Sequence, residues 1–366
     1  MIRTEILKAE DLDRTLERAR EVLLSGGLVA FPTETVYGLG GNALDADASR
    51  KIYAAKGRPS DNPLIVHVGR KEDILPLVRE IPESAEALME AFWPGPLTII
   101  LPKSGLVPPE TTGGLQTVAL RMPSHPFANA MLKSCGCPVA APSANRSGRP
   151  STTRFVHVLE DLNGRAALLI DAGDVPIGVE STIIDLTGED PMLLRPGKIT
   201  LEELSSVIGP VRVDPAVLSE NIISHVAEAA RPKAPGMKYR HYAPKAEMWV
   251  VSGNIEETAE AINGVIDERS GILTVEEHED LYRRGHVLTC GSLREPESIA
   301  HDLFARLRDF DELGVTRIFS EDFTEAAAGA AVMNRLLKAA GGNEVPAKEL
   351  KERLGRTREG QEDIFR

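Results

Sequence analysis

The chain is poor in cysteine, with three among 366 residues, Cys135, Cys137 and Cys290. That is too few for a disulfide framework, and no CxxC pair suggests a zinc site or a redox motif. The pattern suits reduced thiols in a cytoplasmic protein. Uninterrupted apolar runs are short, and none approaches the roughly 18 residues that a membrane span needs. The stretch from Met1 to Ala9 carries charge and no apolar core, so a signal peptide is not expected. Bases are outnumbered, 42 Lys+Arg against 55 Asp+Glu, for a formal charge of −13. A protein that coats nucleic acid with its whole surface neutralises phosphates with lysine and arginine, so this balance disfavours one, although it permits a local basic patch. Several motifs are missing as well. There is no GxxxxGK[ST] phosphate loop, no HExxH and no GxSxG, and the eight histidines neither pair at i, i+4 nor flank cysteines. A serine hydrolase and a protein-held catalytic metal therefore lack support.

What is present is an ordinary globular composition, 42% hydrophobic and 27% charged, in a chain long enough for two domains of about 100–200 residues each. From Asp11 the spacing predicts a helix with Leu12, Leu16, Ala19 and Leu23 on one face, stopped by Gly26-Gly27. The strand LVAF follows. Apolar runs at Leu64–Val68, Leu97–Leu101, Val118–Met122, Val139–Ala141, Ala167–Ile170 and Thr182–Leu186 read as further strands. Thr200 and Glu203 form a capping box that opens a helix ending near Ile208. From Glu247 onward the strands MWVVS, GILTV, HVLTC and TRIFS alternate with helical stretches Ile255–Arg269, Ser298–Leu313 and Ala328–Ala340. That alternation marks a three-layer α/β domain with a mostly parallel sheet. The expected division is 1–210, a linker at 211–246, and 247–366. Within the linker, Arg231, Lys233, Lys238, Arg240 and Lys245 occupy fifteen residues without an acid, beside Pro232, Pro235 and Pro244. Proline alone suggests a stiff spacer. Tyr239, His241 and Tyr242 beside five cations suit contact with an anionic, ring-bearing ligand.

Three motifs invite a chemical reading. Gly38-Leu-Gly40-Gly41-Asn42-Ala43 fits the GxGxxA dinucleotide fingerprint. That fingerprint needs its glycines in a tight strand-to-helix turn, and here PTETVY intervenes after LVAF, so glycines for turns and close packing are the better reading. In Lys56-Gly57-Arg58-Pro59-Ser60-Asp61-Asn62-Pro63 a helix stops at Gly57 and passes two cations and an amide into a rigid loop. In Ala141-Pro142-Ser143-Ala144-Asn145-Arg146-Ser147-Gly148 a strand runs into hydroxyls, an amide and a cation. Composition alone leaves both loops equally open to ligand binding at strand ends and to solvated turns. His67, inside an apolar strand, reads by default as a core histidine; its nearness to Lys56–Asn62 is what raises it.

Taken together, Pro32-Thr-Glu-Thr-Val-Tyr-Gly-Leu-Gly40, the KxR at Lys56–Arg58, the SxN at Ser143–Asn145, Phe92-Trp-Pro-Gly-Pro-Leu-Thr98, Gly178-Val-Glu-Ser-Thr182 and Leu194-Arg-Pro-Gly197 resemble the threonylcarbamoyl-AMP synthases, the YrdC-like family, over roughly residues 12–210. Pro235-Gly-Met-Lys-Tyr-Arg-His-Tyr-Ala-Pro244 is similar to the linker of the long, two-domain form. Ala331-Val-Met-Asn-Arg-Leu-Leu337 resembles its C-terminal domain. The resemblance implies an α/β fold, a YrdC-like twisted mixed sheet with flanking helices followed by a smaller Rossmann-like domain. It also implies an enzyme, a nucleotidyltransferase, that condenses L-threonine, bicarbonate or CO2, and ATP into threonylcarbamoyl-AMP and pyrophosphate. The product would go to other proteins that modify tRNA.

By the same resemblance Lys56, Arg58, Asn62, Thr117, Ser143, Asn145, Ser151 and Arg195 would hold the nucleotide, with Tyr242 of the linker closing over it. Lys56 and Arg58 would clamp phosphates, Arg58 with a bidentate fork. Thr35, His67, Arg121, Ala141 and Ser181 would hold L-threonine, Arg121 taking its carboxylate. Mg²⁺ would arrive with ATP, without a dedicated protein cage. Two other readings stay open on residues alone: an RNA-binding module that uses the basic loops, and a nicotinamide enzyme that rests on GLGGNA.

Overall fold

The structure is a computed structural model that describes residues 2–217, 232–234, 241–324 and 329–355. The linker residues Arg231, Pro235, Lys238, Tyr239 and Arg240 lie outside the described residues. The chain divides into two compact units, Met1–Tyr239 and Arg240–Arg366.

In the first unit β1 (Glu5–Lys8) leads into α1 (Leu12–Leu24), then β2 (Val29–Phe31), β3 (Gly38–Asn42), α2 (Ala46–Lys56), β4 (Ile65–His67), α3 (Glu83–Phe92), β5 (Leu97–Pro102) and β6 (Thr117–Arg121). There follow α4 (Pro126–Ser134), β7 (Val139–Ala140), α5 (Phe155–Leu162), β8 (Leu168–Asp171), β9 (Thr182–Asp185), β10 (Met192–Arg195), α6 (Leu201–Ile208) and β11 (Arg212–Val213). The strands make one mixed sheet of eleven, in the order β1-β8-β2-β3-β7-β4-β6-β5-β9-β10-β11. The expected capping box at Thr200 and Glu203 is formed. Because β11 pairs with β10, the sheet continues to Val213, past the expected boundary at 210.

Helix α1 departs from the expected face. Ala19 and Leu23 are fully buried, but Leu12 is 44% exposed and Val22 takes part in the core instead. Thr15 is also fully buried and Leu16 packs on the same cluster, so the helix docks along nearly its whole length and only its first leucine stays exposed. Strand β3 was not expected at all. Its glycines are there for packing: a Cβ on Gly40 would stand 2.6 Å from Val139 and 2.8 Å from the Phe31 ring. Gly38 opens β3 and Gly40 lies at its centre, neither of them in a tight strand-to-helix turn, which removes the geometric basis for a dinucleotide fingerprint.

One face of this sheet is covered along its length. Ile52 and Tyr53 of α2, Leu88 and Met89 of α3, Val158 and Leu162 of α5 and Leu204 of α6 pack there on Leu39, Val66, Leu120, Leu97, Ile99 and Ile184. Among the described residues, the helices α1 and α4 cover the other face only over Val29, Phe31, Val139, Ala141, Leu168 and Ile170. The uncovered part carries a small apolar cluster, Ile65, Ile100, Ala119, Ile183 and Leu194, capped by the linker's Ala234, which is fully buried. Lys233 beside it pairs with Asp185 at 3.0 Å.

In the second unit β12 (Glu247–Ser252), α7 (Ile255–Asn263), β13 (Ser270–Thr274), β14 (His286–Thr289), α8 (Glu297–Leu313), β15 (Arg317–Glu321), α9 (Gly329–Ala339) and β16 (Glu344–Pro346) follow in turn. The sheet, β14-β13-β15-β12-β16, is parallel throughout. The alternating pattern predicts a mostly parallel sheet, and the family resemblance a Rossmann-like domain; the arrangement agrees with both. Helix α7 stops at Asn263, six residues short of the expected Arg269, before Gly264.

The packing of β3 yields a direct prediction. Gly40→Ala forces a methyl into Val139 and Phe31 and should destabilise the protein by about 1–3 kcal/mol, the usual range for overpacking. The readout is the denaturant midpoint; an unchanged midpoint would mean that β3 yields at no cost.

Candidate active site

Alternation along the strands decides which side chains meet. His67 lies opposite Arg121 on β6 and Val139 on β7, and Arg121 lies opposite Thr98 on β5. Directly opposed residues share a face, so His67, Arg121 and Thr98 form a polar strip on the incompletely covered face, continued by Ser181 just before β9.

Arg121 organises this strip. Its Nη2 donates to Glu34 Oε1 at 2.6 Å, its Nη1 to Thr35 Oγ1 at 2.9 Å and its Nε to the Gly95 carbonyl at 3.4 Å. Both members of the ion pair are buried. Burial pushes the Glu34 pKa up, but the Arg121 charge and hydrogen bond outweigh it and hold the carboxyl below its ordinary range. Thr35 and Glu34 are fixed in turn, because Gly178 N donates to the Thr35 carbonyl at 3.0 Å and Ile177 N to that of Glu34 at 2.9 Å. Next along the strip, Thr98 and Ser181 share a hydroxyl hydrogen bond of 2.8 Å. Arg195 donates to the Ser181 carbonyl at 3.0 Å and to its hydroxyl at 3.1 Å. Ala141 N donates to the Ile65 carbonyl at 2.8 Å, fixing β7 beside His67. The five residues expected to hold threonine thus lie on adjoining strands and loops.

The second cluster is built by a helix end. Helix α2 finishes at Lys56, and Gly57 takes the left-handed conformation, φ 65°, that ends many helices. The chain turns there, and Arg58 donates to the carbonyls of Asn62 at 3.3 Å and Pro63 at 3.1 Å, holding its own loop closed. Lys56 Nζ donates to the carbonyls of Ser143 and Asn145. Ser143 donates to Asn145 Oδ1, and Asn145 Nδ2 donates to the carbonyls of Arg146 and Arg149 at 2.9 and 2.8 Å. KxR and SxN, distant in sequence, therefore form one knot of cations and carbonyls. Asn62 adds a buried Oδ1 with no donor, an acceptor suited to a hydroxyl or exocyclic amine rather than to a phosphate.

Thr117 opens β6 and Arg121 closes it, a separation of about 13 Å at strand rise. Thr117 is thus at the end where β4 enters from the Arg58–Pro63 loop. Loop 32–37 joins the two ends: Ala144 N donates to the Tyr37 carbonyl at 2.7 Å, and Tyr37 N to the Thr152 carbonyl at 2.9 Å. Two residues expected with the nucleotide sit toward the threonine end, Arg195 on Ser181 and Ser151 donating to Glu180 at 2.6 Å. Tyr242 belongs to the second unit, where its ring lies 5.0 Å from that of Phe304 and its backbone is left-handed, φ 64°. The sequence reading assigned no role to Glu34, Thr98 or Glu180. Their signal was present, since Glu34 and Glu180 are the only charges in PTETVYGLG and GVEST.

A mixed sheet that buries Arg121, Arg195, a histidine and several hydroxyls on one face, with a buried lysine at the end of α2, joined to a parallel-sheet unit, defines a two-unit α/β enzyme. Residues 21–197 match the family model for Sua5, YciO and YrdC, described as "Telomere recombination", and residues 199–341 match that described as "Threonylcarbamoyl-AMP synthase, C-terminal domain". The chain is 47% identical to the threonylcarbamoyl-AMP synthase of Bacillus subtilis over 90% of its own length and 94% of the relative's. It is 49% identical to that of Pyrococcus abyssi, over 86% and 91%. The crystal structure of P. abyssi Sua5 complexed with L-threonine superposes with a TM-score of 0.85 at 45% identity, covering 94% of this chain and 99% of that one. The chain belongs to the threonylcarbamoyl-AMP synthase family.

His67 supplies a pH test of this environment. Complete desolvation, aided by the Arg121 charge, lowers its pKa to about 3, against about 6.5 in an unfolded chain. Between those values the unfolded state holds a proton that the folded state lacks, so stability falls as pH drops below 6.5. On going from pH 7 to pH 5 the wild type should lose about 2 kcal/mol more than His67→Asn, read by chemical denaturation. Equal losses would place the imidazole in a solvated setting.

Proposed function

We propose that this chain is an L-threonylcarbamoyladenylate synthase, a nucleotidyltransferase that combines L-threonine, bicarbonate and ATP and releases pyrophosphate, for the threonylcarbamoyladenosine modification of tRNA. The observation that carries the reading is two preformed polar clusters, the Arg121 strip on one sheet face and the Lys56–Asn145 knot at the end of α2, linked by loop 32–37. One suits an amino acid with a hydroxyl, the other a nucleotide.

In the reaction the threonine carbamate attacks the α-phosphorus of ATP. A carbamate oxygen–phosphorus bond forms, the bond to the β-phosphate oxygen breaks, and pyrophosphate leaves. Negative charge spreads over the phosphoryl oxygens, so the protein's work is positioning and cationic stabilisation, with no covalent intermediate required. Arg121 keeps two N–H groups beyond those it spends on the protein, which suits the substrate carboxylate. Neutral His67 and the hydroxyls of Thr35 and Ser181 supply the neighbouring polar contacts. Lys56 and Arg58, anchored in their knot, supply positive potential at the phosphate end, and Asn62 an acceptor for the nucleoside. Among the described residues no group of three or more His, Cys, Asp or Glu could hold a metal. Mg²⁺ would arrive as the counter-ion of the nucleotide and neutralise phosphate charge when bound. No helix among the described residues is long and apolar enough to cross a membrane.

The test is pyrophosphate release from ATP with no RNA present. Release should require both L-threonine and bicarbonate, and L-serine, lacking one methyl, should be used about 10- to 200-fold less efficiently. Release independent of threonine sinks the proposal, and tight, salt-sensitive tRNA binding without turnover would identify an RNA-binding module instead.

A further inference from the structure

Glu34 stands beside Arg121 with its two carboxylate oxygens unequally served. Oε1 receives Arg121 Nη2 at 2.6 Å. Oε2 is buried and accepts no well-formed hydrogen bond, although the backbone N–H groups of Ser124 and of Glu34 itself lie near the carboxyl, in a residue only 5% exposed. A buried carboxylate oxygen without such a bond costs free energy that a ligand N–H can recover. Arg121 is also incompletely used, with two N–H groups left for an acceptor. The pair thus offers, at one buried spot, an anionic acceptor next to a cationic donor. Its charges cancel, so an occupant of zero net charge leaves the site neutral, whereas a lone anion or a lone cation brings in an uncompensated charge.

An α-amino acid zwitterion has the complementary pattern, ammonium N–H groups two bonds from a carboxylate carbon. We infer that Glu34 is the receptor for the substrate's amino group, its Oε2 accepting an ammonium N–H while Arg121 takes the carboxylate. The inference rests on the synthase reading above and deepens it. Glu34 then selects amino acids with a free amine over hydroxy acids and N-acylated amino acids. The choice suits the chemistry, because the free amine is the group that must gain CO2.

Calorimetric titration of the full chain with two ligands tests this. The ligands are L-threonine and the 2,3-dihydroxybutanoate of matching configuration, which keeps the carboxylate and both carbon substituents but replaces the amine by a hydroxyl. Glu34→Gln preserves shape and one acceptor while removing charge. It should weaken L-threonine about 10- to 100-fold, the range for a charge-assisted hydrogen bond, and leave the dihydroxy acid unchanged or tighter. A residue that merely positions Arg121 would weaken both acids together, because both use the carboxylate. Equal losses, or an unaltered threonine affinity, therefore overturn the inference. If Glu34→Gln fails to fold, Glu34→Asp decides by the same comparison, since it keeps the charge and withdraws it by one methylene. A wild type that binds neither ligand removes the threonine site itself, an outcome distinct from equal losses in the variants.

Discussion

A guanidinium cannot shed its charge inside a protein, so burying one dictates what surrounds it. Arg121 is 4% exposed at the end of an interior strand, and much of the site follows from that. Its charge is matched by Glu34 and its remaining bonds reach Thr35 and the Gly95 carbonyl, which draws loop 32–37 down across the sheet. The same loop then fastens the segments around Ala144, Thr152 and Gly178 through its backbone. His67, opposite Arg121, is kept neutral by the burial and the charge together. One cation thus fixes the position of three loops and the protonation of a histidine.

The knot around Lys56 and Arg58 uses cations in the same economical way. Lys56 and Arg58 bind carbonyl oxygens of their own and neighbouring loops before any ligand arrives. A loop of carbonyls and hydroxyls would otherwise drift, and the cost of ordering it would fall on substrate binding. Here folding has already met that cost, and the positive charges are held in place. Preorganisation of this kind suits a reaction whose transition state needs charge and alignment more than covalent help.

The elements with a strong pattern could be read from the sequence. The alternation after Glu247, the α2 stop at Gly57 and the capping box at Thr200 and Glu203 all have local causes, and each is found where expected. Strand β3 was hidden because its glycines lack β propensity; they are required by the closeness of Val139, distant in sequence, and of Phe31 on the neighbouring β2. Leu12 read as core because periodicity tells which residues share a helix face, not how far along the helix the sheet reaches. The site residues were legible through a family resemblance, since nothing in their spacing brings Lys56 to Ser143 or Arg121 to Thr35. Roles that depend on pairing were the least visible. Glu34 and Glu180 have meaning only once Arg121 and Ser151 stand beside them.

If the two clusters serve one reaction, they join an amino acid, a one-carbon unit and a nucleotide in a single molecule. Double labelling tests this most directly. The protein is supplied with ¹³C-bicarbonate, unlabelled L-threonine and ATP labelled at the α-phosphate, and the product is isolated and its labels counted by mass and radioactivity. The account predicts one ¹³C and one α-phosphate for each threonine in the same species. A threonyl adenylate without the bicarbonate carbon, or α-label recovered only in ADP, would contradict it.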